Sequence, residues 1–537
     1  MRWRPLLISV FILALLAGCS QITFVNERVA ADEKLIVHNH GQKQKDQREK
    51  LLPIKLPYEE IAIDKTDLTH LTYDLNGEVD FDSALFPETY TDIPGILTFR
   101  GNHSRTSPSY GNVTLSSSTL DIAWSFRTGT HHKWGGGAGW TGQPSIVKWE
   151  PDVRRIMNIH DHFKEQEDFT EVIYGSLDGS VYFADLYSGE LTRSPIKVGG
   201  PIKGSVAIDP RGYPLLYVGQ GIPESDIGYR IFSLIDGSEL HFIEGADPWA
   251  YRAWGAFDGS ALINRKSDQL VVGGENGLFY HANLNTKFNV QEKTISVDPD
   301  IMKARYNVQG NHYQGIENSV AIYKNIAYFA DNGGSVLAID LADHKPLFAL
   351  EPTDDTDATI VVEAEDNHPF LYTGTEVDQQ GSFGNCLIRK IDGLSGEIIW
   401  SKEYPAYSLS AVNGGMLATP VVGKEEIEHL VIFTIARYET LHGGLMIAVN
   451  KKTGEEEWRL NMDHYAWSSP VDVYTEDGKA MLIQADSAGN MHLIEGSTGK
   501  VKDVVNLGSN IEATPAVYEN YIVVASRGGL VFGVELK

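Results

Sequence analysis

The chain has 537 residues, 42% of them hydrophobic, and a formal charge of −27 at pH 7. So large an acidic excess excludes nucleic acid and anionic lipid head groups as electrostatic partners. Two cysteines, Cys19 and Cys386, are too few for a disulfide framework or a cysteine-built metal site.

Residues 1–19 read MRWRPLLISVFILALLAGC. Arg2 and Arg4 form a positive n-region, and Leu6 to Ala17 form an apolar h-region shorter than the roughly 20 residues that span a bilayer. The run ends in Leu16-Ala17-Gly18-Cys19, which resembles a bacterial lipobox. That resemblance implies a lipoprotein signal peptide over 1–18 and a lipidated Cys19, holding the body outside the cytoplasm by acyl chains. Ser20 suits an outer membrane and the outer face of a single cell membrane equally. Cys386 is then a lone thiol, read as a small buried hydrophobe. Residues 19–55, with HNHGQKQKDQREK at 38–50, are charged and poor in apolar residues and are predicted to be a flexible tether. Residues 56–119 are predicted to be an N-terminal extension packed on the body. Within it, Arg100 and Arg105 of DIPGILTFRGNHSRTSPSYGN (92–112) are expected to pack against acidic loops.

From about 120 the texture is all-β: short runs rich in Val, Ile, Tyr and Phe alternate with Gly, Asp, Asn and Ser turns. The runs repeat. VIYGSLDGSVYFADLYSGEL (172–191), AYFADNGGSVLAIDLADHKPL (327–347) and LIQADSAGNMHLIEGSTGKV (482–501) each give a strand, a tight turn, a second strand and a Gly-bearing turn. A further mark, Ser or Thr before a short apolar run, opens each unit: GQPSIV (142–147), KGSVAI (203–208), DGSALI (258–263), ENSVAI (317–322), DATIVV (357–362), LATPVV (417–422), WSSPVDV (467–473) and EATPAV (512–517). One mark per blade predicts an eight-bladed β-propeller over 120–537. The last unit, NYIVVASRGGLVFGVELK, lacks an outermost strand. LDIAWSFRTG (120–129), with Trp124, is predicted to supply it and so close the ring.

AVNKKTGEEEW (448–458), with its Thr453-Gly454 turn and Trp458, resembles the tryptophan-docking repeat of PQQ-type propellers. Trp400 after Ser395-Gly396 fits the same pattern, while Phe348 and Asp503 stand where other copies have Trp. The resemblance implies the PQQ-like propeller fold. That superfamily holds quinoprotein alcohol dehydrogenases, which use adjacent cysteines over the quinone, a bound calcium and an aspartate base. It also holds BamB-like lipoproteins, which assist outer-membrane protein assembly. Adjacent cysteines are absent here, no calcium set maps residue by residue, and no catalytic residue is assigned.

Aligning the opening marks places Lys203, Asp258, Glu317, Asp357, Leu417, Trp467 and Glu512 two residues ahead of each Ser or Thr, with the first blade's position near Thr141. The alignment predicts a ring of these side chains at the channel mouth. Such a mouth favours cations or amine-bearing ligands, and calcium would relieve its crowded carboxylates; a solvated acidic rim is the alternative. Trp134, Trp140 and Trp254 lie in loops leading to this mouth, as stacking platforms or as wedges between blades. KWGGGAGW (133–140) has the glycines for a close backbone approach. No nucleophile elbow, P-loop or H-E-x-x-H occurs. Two functions remain: a non-catalytic binding or scaffold protein of the cell envelope, with a protein or small-molecule partner at the propeller face, or a PQQ- and calcium-dependent oxidoreductase.

Overall fold

The computed structural model describes residues 58–62, 68–139, 142–224, 226–409 and 412–537. The leader 1–18, Cys19, the tether 19–55, Trp140 and Thr141 lie outside them. No described helix is long and apolar enough to cross a membrane.

The described chain forms eight antiparallel blades in a ring. Blade 1 comprises Ser145–Val147, Glu171–Gly175, Ser180–Asp185 and Ile196–Lys197. Blades 2 to 7 open in turn at Ala207, Leu262, Ala321, Val361, Val421 and Val471. Blade 8 comprises Ala516–Tyr518, Tyr521–Ala525 and Leu530–Leu536, and its outermost strand is Leu120–Arg127, antiparallel to the chain's last strand from Leu530↔Arg127 to Leu536↔Leu120. Blade 3 carries a fifth, outer strand, Leu71–Asn76, paired with Asp300–Val308.

Burial explains the sequence pattern. A blade is covered on both faces by its neighbours, so its second strand is apolar throughout: Leu215–Gly219 and Ile326–Ala330 are wholly buried. The outermost strand lies at the rim, and Val501–Asn506 accordingly alternates half-buried and exposed.

Tryptophans lock neighbouring blades. Trp124 of blade 8 lies over the Gly189 turn of blade 1, where an added Cβ would sit 2.5 Å from the indole. Its Nε1 donates to the Leu186 carbonyl at 2.8 Å. Trp400 covers Gly454 and donates to Lys451 O at 2.9 Å, and Trp458 covers Gly499 and donates to Gly496 O at 3.0 Å. Phe348 fills the same place over Gly396 without the hydrogen bond. Asp503 instead accepts from the Leu120 amide at 2.7 Å, holding the start of the last blade's outer strand.

Most of the Ser/Thr marks share one physical cause. From blade 3 to blade 7 they form a belt around the axis in which the amide at each mark donates to the next blade's hydroxyl. Ser260 N reaches Ser319 Oγ at 2.9 Å, Ser319 N reaches Thr359 Oγ1 at 3.0 Å, Thr359 N reaches Thr419 Oγ1 at 3.1 Å, and Thr419 N reaches Ser469 Oγ at 2.9 Å. In blade 1 the donating position is Gln143, whose amide reaches Ser205 Oγ at 2.8 Å. Ser145 lies farther along the strand and donates to Val206 O.

Beside this belt, residues 94–110 visit every blade in order. Pro94 O accepts from Lys148 N, Leu97 O from Ile208 N, and Thr98 Oγ1 donates to Ala261 O. His103 O accepts from Ile322 N, Ser104 O from Val362 N, and Thr106 O from Lys424 Nζ. Ser109 Oγ donates to Asp472 O, and Ser109–Tyr110 pairs parallel to Val517–Tyr518. The segment is a plug. Arg100 and Arg105, expected against acidic loops, instead spend their guanidinium groups on backbone carbonyls. Arg100 donates to Arg105 O and Pro470 O, both at 3.0 Å. Arg105 reaches Val320 O, Ser260 O, Phe99 O and the Thr98 hydroxyl. Both side chains are fully buried, and burial lowers Arg105 to about 9 and Arg100 to about 10.

Candidate functional site

Above the plug, the segments leading into blades 2 to 5 converge on the axis and carry four of the predicted ring residues. Lys203 Nζ contacts Asp258 directly, lies 2.9 Å from Glu317 Oε1 and 4.0 Å from Glu275 Oε1. Glu275 comes from the Gly274–Gly277 turn of blade 3, which reads in sequence as an ordinary hairpin turn. Asn332, in the corresponding turn of blade 4, donates to the other oxygen of Glu317 at 3.0 Å and accepts from Arg252 at 3.1 Å.

A second carboxylate trio adjoins the first. Asp355 and Asp357 precede the first strand of blade 5, and Glu376 follows its second strand. Oxygens of Asp258, Glu275 and Glu317 lie within 4.8 Å of one another, and so do oxygens of Asp355, Asp357 and Glu376. Asp355 and Asp357, with Thr356 between them, both bring an oxygen to this trio, and the Glu376 amide donates to Asp355 O at 2.7 Å. Asn413 Nδ2 holds Glu376 Oε2 at 2.9 Å.

The electrostatics follow from dense charge in a dry place. Burial, then repulsion, lift Asp355, Asp357, Glu275 and Glu376 well above the usual carboxylate range. Asp258 is pushed up to about 8 by burial, partly countered by Lys203. Glu317 is the exception: burial raises it, but Lys203 outweighs this and holds it low. Burial disfavours the Lys203 ammonium, yet Asp258, Glu317 and Glu275 together keep it firmly protonated. Three of the six carboxylates thus surround Lys203, and the other three form a cluster of their own.

The other predicted residues are placed differently. Trp467 is buried, packs with Leu417 and Ala436, and donates to Asn413 O at 3.3 Å, forming an apolar wall. Glu512 pairs with Arg527 at 3.1 Å and accepts from Asn510 at 2.8 Å. Trp134 is half-buried under Lys133, and its carbonyl accepts from Arg527. Trp254 is exposed. The glycines of 133–140 serve backbone packing: a Cβ on Gly137 would strike Ser526 O, and one on Gly139 would press on the Lys203 stem.

Fold and site together define a propeller of PQQ-like repeats, plugged at one end of its channel and strongly acidic on its axis. No family profile and no curated protein matches the sequence. Among solved structures, the chain is similar to quinohemoprotein alcohol dehydrogenase ADHIIG from Pseudomonas putida, with a TM-score of 0.55, 12% identity, and 82% of this chain and 80% of that one covered. It is similar to a europium-containing methanol dehydrogenase, with a TM-score of 0.51, 14% identity, and 82% and 98% covered. BamB from Moraxella catarrhalis gives a TM-score of 0.47 and 15% identity over 78% and 98%. At these identities the likeness is one of fold.

The cavity between the plug and the acidic residues is too small for a quinone. Phe99 of the plug, Glu317, Asp357, Leu417 and the belt residues Ser319, Thr359, Thr419 and Ser469 enclose a cavity of about 10 Å³. That is about the room one water needs, against the roughly 300 Å³ or more of pockets that hold drug-sized ligands. PQQ is itself a tricarboxylic acid, and the surrounding carboxylates would repel it.

Proposed function

We propose that the protein is a lipid-anchored, non-catalytic binding or scaffold protein of the cell envelope, whose propeller receives a positively charged group at the acidic end of its axis. The observation that carries this reading is two adjoining buried carboxylate trios, of which Asp258, Glu275 and Glu317 surround Lys203 and Asp355, Asp357 and Glu376 form no ion pair among the described residues. Buried carboxylates crowded in this way repel one another, and an incoming cation is what they are arranged to attract. The lipobox-like Leu16-Ala17-Gly18-Cys19 supports the anchor and the location outside the cytoplasm. The fold likeness to dehydrogenases favours the second reading, a PQQ- and calcium-dependent oxidoreductase, but the small cavity against the plug and the surrounding negative charge oppose it.

The test uses the full-length chain in detergent. Spermidine is expected to raise the thermal midpoint, because a ligand bound only by the folded state stabilises it. PQQ with calcium chloride is expected to add nothing beyond calcium chloride alone, and no alcohol-dependent dye reduction is expected. Dye reduction that requires PQQ would overturn the non-catalytic reading.

A further inference from the structure

We propose that Asp355, Asp357 and Glu376 form a site for one hard divalent cation of the calcium class. The proposal rests on the reading that the axial pocket receives positive charge, and it names the part of the pocket and the chemistry.

The two carboxylate trios are not equivalent. Asp258, Glu275 and Glu317 already surround the Lys203 ammonium, which supplies their positive charge. No lysine or arginine forms an ion pair with Asp355, Asp357 or Glu376 among the described residues. Each also leaves one oxygen, Asp355 Oδ1, Asp357 Oδ1 and Glu376 Oε1, without a hydrogen-bond partner. Glu376 is wholly buried and Asp357 only 8% exposed. A buried polar atom left bare is costly, and a buried bare carboxylate oxygen more so. Three such carboxylates side by side mark a place built for something that accepts their lone pairs.

The spacing fits a metal ion. One oxygen from each residue lies within 4.8 Å of the others. Calcium–oxygen distances are about 2.3–2.6 Å, so oxygens on opposite sides of one ion stand about 4.6–5.2 Å apart. The donors are all oxygen, which selects hard cations over zinc or copper. The frame is preformed. Asp355 and Asp357 belong to one strand approach, and the Glu376 amide is tied to the Asp355 carbonyl. Asn413 pins the second oxygen of Glu376, which orients the first. Asp355 and Asp357 lead into blade 5, while Glu376 pairs with Gly415 at the edge of the blade 6 sheet, so the site sits where two neighbouring blades meet. Three protein oxygens leave coordination positions for water or for an oxygen of a ligand arriving through the mouth.

The experiment is calorimetric titration of EDTA-stripped full-length protein with calcium chloride, beside spermidine as an independent cationic probe. One calcium per chain is expected. Glu376→Gln and Asp357→Asn are expected to weaken it at least tenfold, and Glu512→Gln, outside the trio, to leave it unchanged. The thermal midpoint in EDTA serves as the folding control. Glu376→Gln should be at least as stable as the native chain there, because it removes a repelling charge, and less stable than it in calcium. A variant that fails to fold is replaced by Asp355→Asn, judged on the same two readings. Calcium binding that survives Glu376→Gln would overturn the proposal. Absence of calcium binding alongside binding of spermidine would also overturn it, while leaving the cation-receiving pocket intact. Absence of both would remove the two together.

Discussion

Replacing Arg105 with alanine is expected to destabilise the propeller by about 5 kcal/mol. The side chain donates to Val320 O twice, at 2.9 and 2.7 Å, to Ser260 O at 2.9 Å, to Phe99 O at 2.8 Å and to Thr98 Oγ1 at 2.9 Å. Truncation leaves three carbonyls dry and unpaired, each at a cost of about 1–3 kcal/mol. The expense of burying a guanidinium without a carboxylate partner is recovered, which keeps the net below the sum. Arg105 also sits at φ 63°, a left-handed conformation that only a well-determined surrounding maintains. Because residues 94–110 touch all eight blades, the loss should spread around the ring rather than stay local. Guanidinium unfolding of native and variant chains measures it, and a change under about 1 kcal/mol would show that the plug does not hold the blades.

Trp124→Ala is expected to cost about 4 kcal/mol, within the range for emptying a large buried aromatic site. Trp124 is 9% exposed, touches both Gly189 of blade 1 and Gly533 of its own blade, and loses its bond to Leu186 O when removed. It sits where the outermost strand of blade 8 meets blade 1, so the damage should be directional. Amide exchange should speed up in Leu120–Arg127 and Leu530–Leu536 while Ile326–Ala330, across the ring, keeps its protection. Trp458→Ala, at a half-buried copy of the same dock, should cost less. Equal losses at the two sites, or exchange that rises uniformly, would contradict the role given to Trp124.

What the sequence made legible follows from which interactions restrict residue type. The hydroxyl belt uses Ser or Thr at one position in each of blades 2 to 7, so the register of those first strands could be read. Counting back from it located Lys203, Asp258, Glu317 and Asp357. The docks demand Trp over Gly, so Trp124, Trp400 and Trp458 were visible. Glu275 and Glu376 were not, because they reach the axis from the far ends of hairpins, and nothing local distinguishes Gly-Glu-Asn-Gly from any other turn. Asp355 had a faint signal, two residues ahead of Asp357. That 56–119 packs on the body was expected, but the path of the plug across the blades was not legible, since many of its contacts are to backbone groups, which every residue carries. The expectation that Arg100 and Arg105 face acidic loops failed for that reason. Glu512 shows the limit of register alone: it occupies the aligned position, yet Arg527 takes it up.

The account turns on the acidic axis being a place for a cation. Crystals of the full-length chain soaked in terbium chloride, a hard oxygen-seeking probe with strong anomalous scattering, test this directly. The account predicts one dominant anomalous peak among Asp355, Asp357 and Glu376. Peaks only at the outer surface, with this trio empty at saturating terbium, would contradict it.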